Sequence, residues 1–171
     1  FRRVLFRSGP SVSKLVPKVQ STAKILYGIY LALTLLEILF LLCGGMPVFD
    51  ALTTAFGTAG TGGFGIKNDS IASYSTYIQV VVTVFMILFG VNFSAYFLII
   101  SGKLRQALHI EEVRWYLAII AIAIVTITFN VYHIYGSIGE SLQQVAFQVA
   151  SIITTTGFAT TDLDRKSTRL N

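Results

Sequence analysis

Charge is what this chain has least of. Of its 171 residues, 13 are Lys or Arg and 8 are Asp or Glu, 12% in all, where an average soluble domain carries about a quarter. So small a share excludes an ordinary solvated surface, and the mean hydropathy is +0.71. Cysteine is nearly missing as well. Cys43 alone permits no internal disulfide and forms no metal-binding pattern. The two histidines, His109 and His133, are 24 residues apart and fall on opposite sides of the topology derived below, which excludes a shared metal site. No serine, histidine and carboxylate combination argues for an enzyme.

The missing charge is concentrated in three runs. Residues 25–43 carry one charge, Glu37, while residues 77–100 and 115–132 carry none. As helices these runs are roughly 27–36 Å long, the thickness of a bilayer's hydrocarbon core. The basic residues sit at their ends. Arg2, Arg3, Arg7, Lys14, Lys18 and Lys24 precede the first run, and Lys103, Arg105 and Arg114 flank the connector between the second and third. The formal net charge of +5 is therefore a membrane-topology signal, not a nucleic-acid-binding one. It predicts that the N-terminal side and the 102–114 connector lie in the cytoplasm. The first run is too long for the apolar part of a signal peptide, and Cys43-Gly44-Gly45-Met46 is a poor cleavage site. Two sequons, at Asn68 and Asn92, read as chance matches, since the second lies inside a span. Residues 1–11 and 163–171 contrast abruptly with the middle and read as truncated or foreign tails.

Between the long runs lie two short apolar segments, each followed by a loop of glycine and threonine. The first segment, 47–56, has Pro47 and Asp50 in its first turn, as suits a helix N-terminus, and Phe49, Leu52 and Phe56 on one stripe. The second, 138–153, is preceded by Ser137, which with Glu140 fits a capping box. Its Leu142, Val145, Ala146, Val149 and Ile153 form a stripe. Neither is long enough to span. The loops read Thr61-Gly62-Gly63-Phe64-Gly65 and Thr155-Thr156-Gly157-Phe158-Ala159, 94 residues apart. Both echo the Thr-Val-Gly-Tyr-Gly filter of potassium channels, in which backbone carbonyls replace an ion's hydration shell. Non-helical backbone at membrane depth is tolerated only when buried in protein or lining a wet cavity, and carbonyls turned to a cation would meet that condition. Residues 60–65 also spell the Gly-x-Gly-x-x-Gly dinucleotide fingerprint. That motif needs a strand before it and a helix after it, and here a short helix precedes it. Glu37, inside a span, is expected to be structurally paired, with a place facing a cavity as the alternative. Asn92 is expected to hydrogen-bond across helices and hold the pore elements together.

These stretches, with Pro17-Lys18-Val19-Gln20-Ser21-Thr22-Ala23-Lys24, Gly45-Met46-Pro47-Val48-Phe49-Asp50-Ala51, Gly90-Val91-Asn92-Phe93 and 154–162, resemble the TrkH/KtrB family of bacterial potassium-uptake membrane subunits, nearer the TrkH type. The resemblance implies an all-α membrane protein of span, pore-helix, span repeats with re-entrant filter loops, like potassium channels. About one and a half of four repeats would be present. Residues 12–101 would be the second repeat (span 25–43, pore helix 47–56, filter 58–65, span 77–100). Residues 102–114 would be the cytoplasmic connector. Residues 115–162 would be part of the third repeat (span 115–132, pore helix 138–153, filter 154–160). The ion-binding residues would be Thr61, Gly62, Gly63, Phe64, Thr155, Thr156, Gly157 and Phe158. The cargo would be potassium, with no organic cofactor. The partners would be the lipid bilayer, the remaining repeats, a second copy in a homodimer and a cytoplasmic nucleotide-binding ring of the TrkA or KtrA type. The location would be the bacterial inner membrane. These filters are less regular than those of potassium channels, which suggests weaker discrimination against sodium. The rival reading is a secondary transporter with broken helices, coupled to sodium or protons.

Overall fold

A computed structural model describes residues 12–100, 102–135 and 137–160, with side chains from residue 22 onward except 132–136. The expected tails, 1–11 and 163–171, lie outside the described residues. Helix α1 (Val12–Cys43) is followed by α2 (Val48–Ala59), α3 (Thr76–Phe89), α4 (Phe93–Ile100), α5 (Leu104–Leu108), α6 (Glu111–Tyr135) and α7 (Ile138–Ile153). Two of these contain stretches long and apolar enough to cross a membrane, Thr22–Cys43 and Glu111–Val131, and the pair α3 and α4 makes a third if counted as one bent span.

Helix α1 stops where two glycines follow it. Gly45 takes a left-handed φ of +79°. The N–H of Met46 then reaches back to Leu41 O at 3.2 Å and that of Gly45 to Leu42 O at 3.0 Å. This is a Schellman ending, which satisfies carbonyls that a helix end otherwise leaves open. It turns the chain into α2, which packs on α1 and α3. The principal core joins both halves of the chain: Leu41, Met46, Ala51, Ala55, Val82 and Met86 pack together with Phe147, Ala150 and Phe158. Helix α7 lies against α6 and α3, with Val145 and Val149 meeting Ile120. A small separate cluster of Ala95, Ala107 and Val113 ties α4 to the connector.

Several expectations about the elements need correction. The span expected over 77–100 is broken, with α3 and α4 meeting at 90°. The break has local causes. Val91 N turns back to Leu88 O at 3.1 Å, and Asn92 Oδ1 accepts the N–H of Ser94 at 2.9 Å, capping α4. Phenols also reach the carbonyls at the end of α3. Tyr116 Oη donates to Ile87 O at 3.1 Å and Tyr96 Oη to Leu88 O at 2.6 Å. Asn92 does bond across helices, but its partner is Glu112 on α6, so it holds the connector, not the pore elements.

The first short helix runs three residues further than expected, to Ala59, and so takes residues 58 and 59 from the expected filter. Its stripe of Phe49, Leu52 and Phe56 faces outward (70, 37 and 62% exposed). Small residues, Ala51, Ala55, Gly57 and Ala59, face the protein. The second short helix begins and ends as expected. Ser137 is its N-cap, but no side-chain cap bond forms. Instead Ser137 O accepts the hydroxyl of Ser141 at 2.8 Å.

The bend generates a prediction. A Cβ at Gly90 would overlap Tyr116 Oη and come within 2.9 Å of Thr154 Cγ2. Gly90→Ala in the complete protein is expected to cost about 1–3 kcal/mol, read as a lower Tm in detergent. Tyr116→Phe in the same background should restore part of the loss. A Gly90→Ala protein that melts with the wild type would rule out this packing at the bend.

Candidate functional site

Both short helices end in the same way, and that ending builds the site. At the end of α2, Thr61 N bonds Thr58 O at 3.1 Å, Gly62 N bonds Gly57 O at 2.8 Å and Gly63 N reaches the same oxygen at 3.5 Å. At the end of α7, Thr155 N bonds Ile152 O at 3.1 Å, Thr156 N bonds Ser151 O at 2.9 Å and Gly157 N reaches it at 3.4 Å. Each bond in one set is the other shifted by 94 residues. These are Schellman endings again, but the residue at the left-handed position is a threonine. Thr61 has φ 48° and Thr155 φ 58°. A β-branched residue at positive φ is a genuine outlier, costing about 1–2 kcal/mol, and such strain clusters at functional sites. Two residues on, Gly63 (φ +63°) and Gly157 (φ +85°) are left-handed as well.

The amide hydrogens of 61–63 and 155–157 are thus drawn back into their helices. Their carbonyls accept no hydrogen bond among the described residues. The loops lie side by side. A Cβ on Gly63 would overlap the carbonyl oxygen of Thr156 and stand 3.0 Å from Gly157 C, so only glycine allows that approach. Six of the eight predicted site residues, Thr61, Gly62, Gly63, Thr155, Thr156 and Gly157, therefore share one backbone cluster. Thr155 and Gly157 are exposed in it, whereas the Thr156 side chain is buried and its hydroxyl meets Thr154 Oγ1 at 2.7 Å.

Phe64 and Phe158 behave differently from the other six. The Phe158 carbonyl accepts the Ser151 hydroxyl at 2.6 Å, and its ring is 1% exposed. That ring fills a notch at Gly57, where a Cβ would approach Phe158 Cζ to 3.0 Å. Phe64 O likewise faces residue 57, 3.4 Å from the place a Cβ would occupy. Both carbonyls turn back toward their own short helix. The Phe64 ring, by contrast, is 79% exposed.

Several residues that sequence reasoning missed hold the loops in place. Ser70, at φ 56°, accepts Ala159 N on its Oγ at 3.2 Å. The next amide, Ile71 N, donates to Ala159 O at 3.1 Å. The segment after the first loop thereby clasps the end of the second. Gln79, buried in α3, donates to Ala72 O at 3.3 Å and Tyr74 O at 3.2 Å and accepts from Gln143 on α7 at 2.9 Å. Gln144 Oε1 in turn accepts the Thr160 hydroxyl at 2.5 Å. Tyr74 Oη donates to Asp50 Oδ2 at 2.6 Å, binding the same segment to α2. Burial, and then the bond to Asp50 and its charge, push the phenol up to about 12, so this donor stays protonated across the physiological range. Ser70 was touched only by the Asn68-Asp69-Ser70 sequon, which pointed to other chemistry.

Fold and site together define an all-helical membrane protein with two helix-and-loop units of the same sense set side by side. The profile of the TrkH family, cation transport proteins, matches residues 11–170, and the chain belongs to that family. It is 33% identical over 157 residues to the Trk system potassium uptake protein TrkH of Salmonella typhimurium, covering 90% of this chain and 32% of that protein. Against TrkG of Escherichia coli it is 31% identical, covering 87% and 31%. The crystal structure of the potassium transporter TrkH from Vibrio parahaemolyticus superposes with a TM-score of 0.79 at 31% identity, covering 85% of this chain and 32% of that one. The chain spans about a third of the length of these relatives.

Two substitutions in the complete protein test the site's construction. Thr155→Gly removes the strained side chain and should leave Tm unchanged or raise it, whereas an ordinary Thr→Gly loses about 0.5–1 kcal/mol. A clear fall in Tm would refute the strain. Ser151→Ala unsatisfies a buried carbonyl and should cost about 1–3 kcal/mol, again read as Tm in detergent.

Proposed function

We propose that the complete protein carries potassium, or monovalent cations more broadly, across the bacterial inner membrane, and that this chain contributes two of the four strands of its filter. The observation that carries this reading is the pair of loops with one hydrogen-bond pattern, whose carbonyls at 61–63 and 155–157 accept no hydrogen bond among the described residues and which meet where Gly63 approaches the Thr156 carbonyl. Oxygen ligands of this kind, without a charged side chain among them, suit a weakly hydrated monovalent cation that must enter and leave. The negative ends of the α2 and α7 dipoles add attraction from behind. Phe64 and Phe158 serve as packing residues in this reading, and the hydroxyls of Thr61 and Thr155 are available beside the carbonyls.

The two units meet head to tail, which supports a closed ring. The face of the first unit uses Gly63 and Gly57, and the face of the second uses Thr156 and Phe158. The complementary surfaces are open: a Cβ on Gly157 would meet nothing within 4 Å, and the Phe64 ring is uncovered. A heterologous contact of this kind closes only by repetition, and two further units would supply a notch for Phe64 and a carbonyl for Gly157. The same-sense repeat also argues against the broken-helix transporter, whose repeats are usually inverted.

In this reading the N-terminal side and the 102–114 connector face the cytoplasm, the loops dip in from outside, and the pore docks as a homodimer on a TrkA- or KtrA-type ring. Gly63→Asp or Gly157→Asp in the complete protein is expected to abolish rubidium uptake by potassium-transport-deficient bacteria while leaving membrane insertion intact. Uptake at the wild-type rate by correctly inserted variants would overturn the proposal.

A further inference from the structure

Each helix-and-loop unit is fastened to itself in the same way. Asp50 on α2 and Gln144 on α7 are 94 residues apart, the shift that relates the two loops. Each accepts a hydroxyl from the segment that follows its own loop, Asp50 Oδ2 from Tyr74 at 2.6 Å and Gln144 Oε1 from Thr160 at 2.5 Å. The bonds that tie one unit to the other are different. Ser70 and Ile71 hold Ala159, and Gln79 reaches across with its side chain. Gln79 is in the first turn of α3 and only 6% exposed. A helical side chain points back toward the start of its helix, here over the segment that leads from the first loop into α3. Its Nε2 is 3.4, 3.3 and 3.2 Å from the carbonyl oxygens of Ile71, Ala72 and Tyr74. Its Oε1 accepts from Gln143 Nε2 at 2.9 Å and from Gln144 Nε2 at 3.5 Å. A primary amide carries donors on one atom and acceptor lone pairs on the other, so it serves both units at once. Only one orientation works, because turning the amide over would set its oxygen against three carbonyl oxygens.

We propose that Gln79 is a positioning residue for ion selection, its side-chain amide being the cross-link that sets the first loop against the second. On one side it grips the three carbonyls that follow the first loop. On the other it receives donors from α7, the helix whose end builds the second loop. Gln144 carries the link on to Thr160, just past the Ala159 that Ser70 and Ile71 hold. The approach of Gly63 to the Thr156 carbonyl is one constraint between the loops, and a single constraint leaves them free to pivot about it. Gln79 and the Ala159 contacts supply the others. A neutral amide does this without setting a charge beside the carbonyls. The consequence is selectivity. A cluster of carbonyls discriminates between cations by the number and field of its oxygens. With the amide link cut, the glycine contact and the Ser70 clasp keep the loops together and the path open, but their spacing loosens.

This inference rests on the reading of the loops as a filter, and its test separates the two. In the complete protein, Gln79→Met keeps the length of the side chain and removes both halves of the link, while Gln143→Met removes its nearer donor. Rubidium uptake with sodium competition gives a maximal rate and a rubidium-over-sodium ratio for each. Gln79→Met is expected to lower the ratio by on the order of tenfold while the maximal rate stays within about threefold of wild type. Gln143→Met should lower the ratio too, and the double variant should be no worse than Gln79→Met alone, because both act through one link. An unchanged ratio in Gln79→Met, a ratio and rate that fall together, or losses that add in the double variant would each overturn the proposal. Should Gln79→Met fail to insert, Gln143→Met combined with Gln144→Met removes the donors to Gln79 Oε1. A lowered ratio there supports the link and a wild-type ratio overturns it. Hydrogen–deuterium exchange read by mass spectrometry is independent of transport. In the variant that inserts, exchange should rise by on the order of tenfold in peptides covering 70–74 and 155–160 and stay at the wild-type rate in α6. A rise everywhere, or in neither segment, overturns the link. If the expected exchange pattern is found in a protein that moves no rubidium even as wild type, the link stands and the transport reading falls.

Discussion

The structure depends on a rule about carbonyls. Every helix leaves its last four C=O groups without an intrahelical donor, and in hydrocarbon each unsatisfied group costs several kcal/mol. Helix α1 obeys the rule in the usual way, with Gly45 left-handed and the ending closed on Leu41 and Leu42. Helices α2 and α7 close their own last turns by the same bonds, but in doing so they draw in the amides of residues 61–63 and 155–157. The carbonyls of those residues are then left over. A loop that spends its donors backward and keeps its acceptors can be stable at membrane depth only if something electropositive, such as water or a cation, meets those acceptors.

Close backbone approach is the second demand, and it explains the composition. The inward face of α2 is made of Ala51, Thr54, Ala55, Gly57, Thr58 and Ala59, small residues of the kind that let helices approach in a membrane, where packing and not the hydrophobic effect drives association. Gly57 admits the Phe158 ring and Gly63 admits the Thr156 carbonyl. The equivalent of Gly57 in the second unit is Ser151, which holds Phe158 O. The two positions thus solve one problem in two ways. Where a neighbour's ring must enter, the residue is glycine. Where the described residues bring no ring, a serine is accommodated and fastens the loop itself.

How much of this was legible in the sequence follows from what each feature leaves in the letters. Uncharged runs of membrane length reveal spans because exposure to lipid constrains nearly every residue in them, and the expected 138–153 helix coincides with α7. The recurrence of Thr, Gly and Phe revealed two equivalent loops because the left-handed positions restrict residue choice. The 90° bend was not legible. Gly90 and Asn92 were visible, but the phenols that take carbonyls at the end of α3, Tyr96 of α4 and Tyr116 of α6, stand at no spacing that announces the contact. Phe64 and Phe158 carry the same letter in the same motif and end at 79 and 1% exposure, because burial is decided by the neighbouring unit and not by the loop. The stripe of α2 is a related case, since a stripe records that an apolar face exists and not what lies against it. Ser70, Ser151 and Gln79 escaped because a single polar residue has no spacing to betray it.

The threonines at the left-handed positions bring these points together. Glycine would cap α2 and α7 without strain, as Gly45 does for α1, so sterics alone argue against Thr61 and Thr155. Their recurrence at equivalent places means that something favours a hydroxyl-bearing, conformationally stiff side chain there. Stiffness is useful in itself. A β-branched residue held at φ near +50° has little freedom to relax, so the carbonyl that follows it is aimed more narrowly than glycine would aim it. The filter proposed above would benefit from that narrowness. The strain is tolerable because the bonds to residues 57, 58, 151 and 152, the Ser70 clasp and the packing of Phe158 over-determine the loops from outside. The loops are thus held where they are exposed because they are crowded where they are hidden.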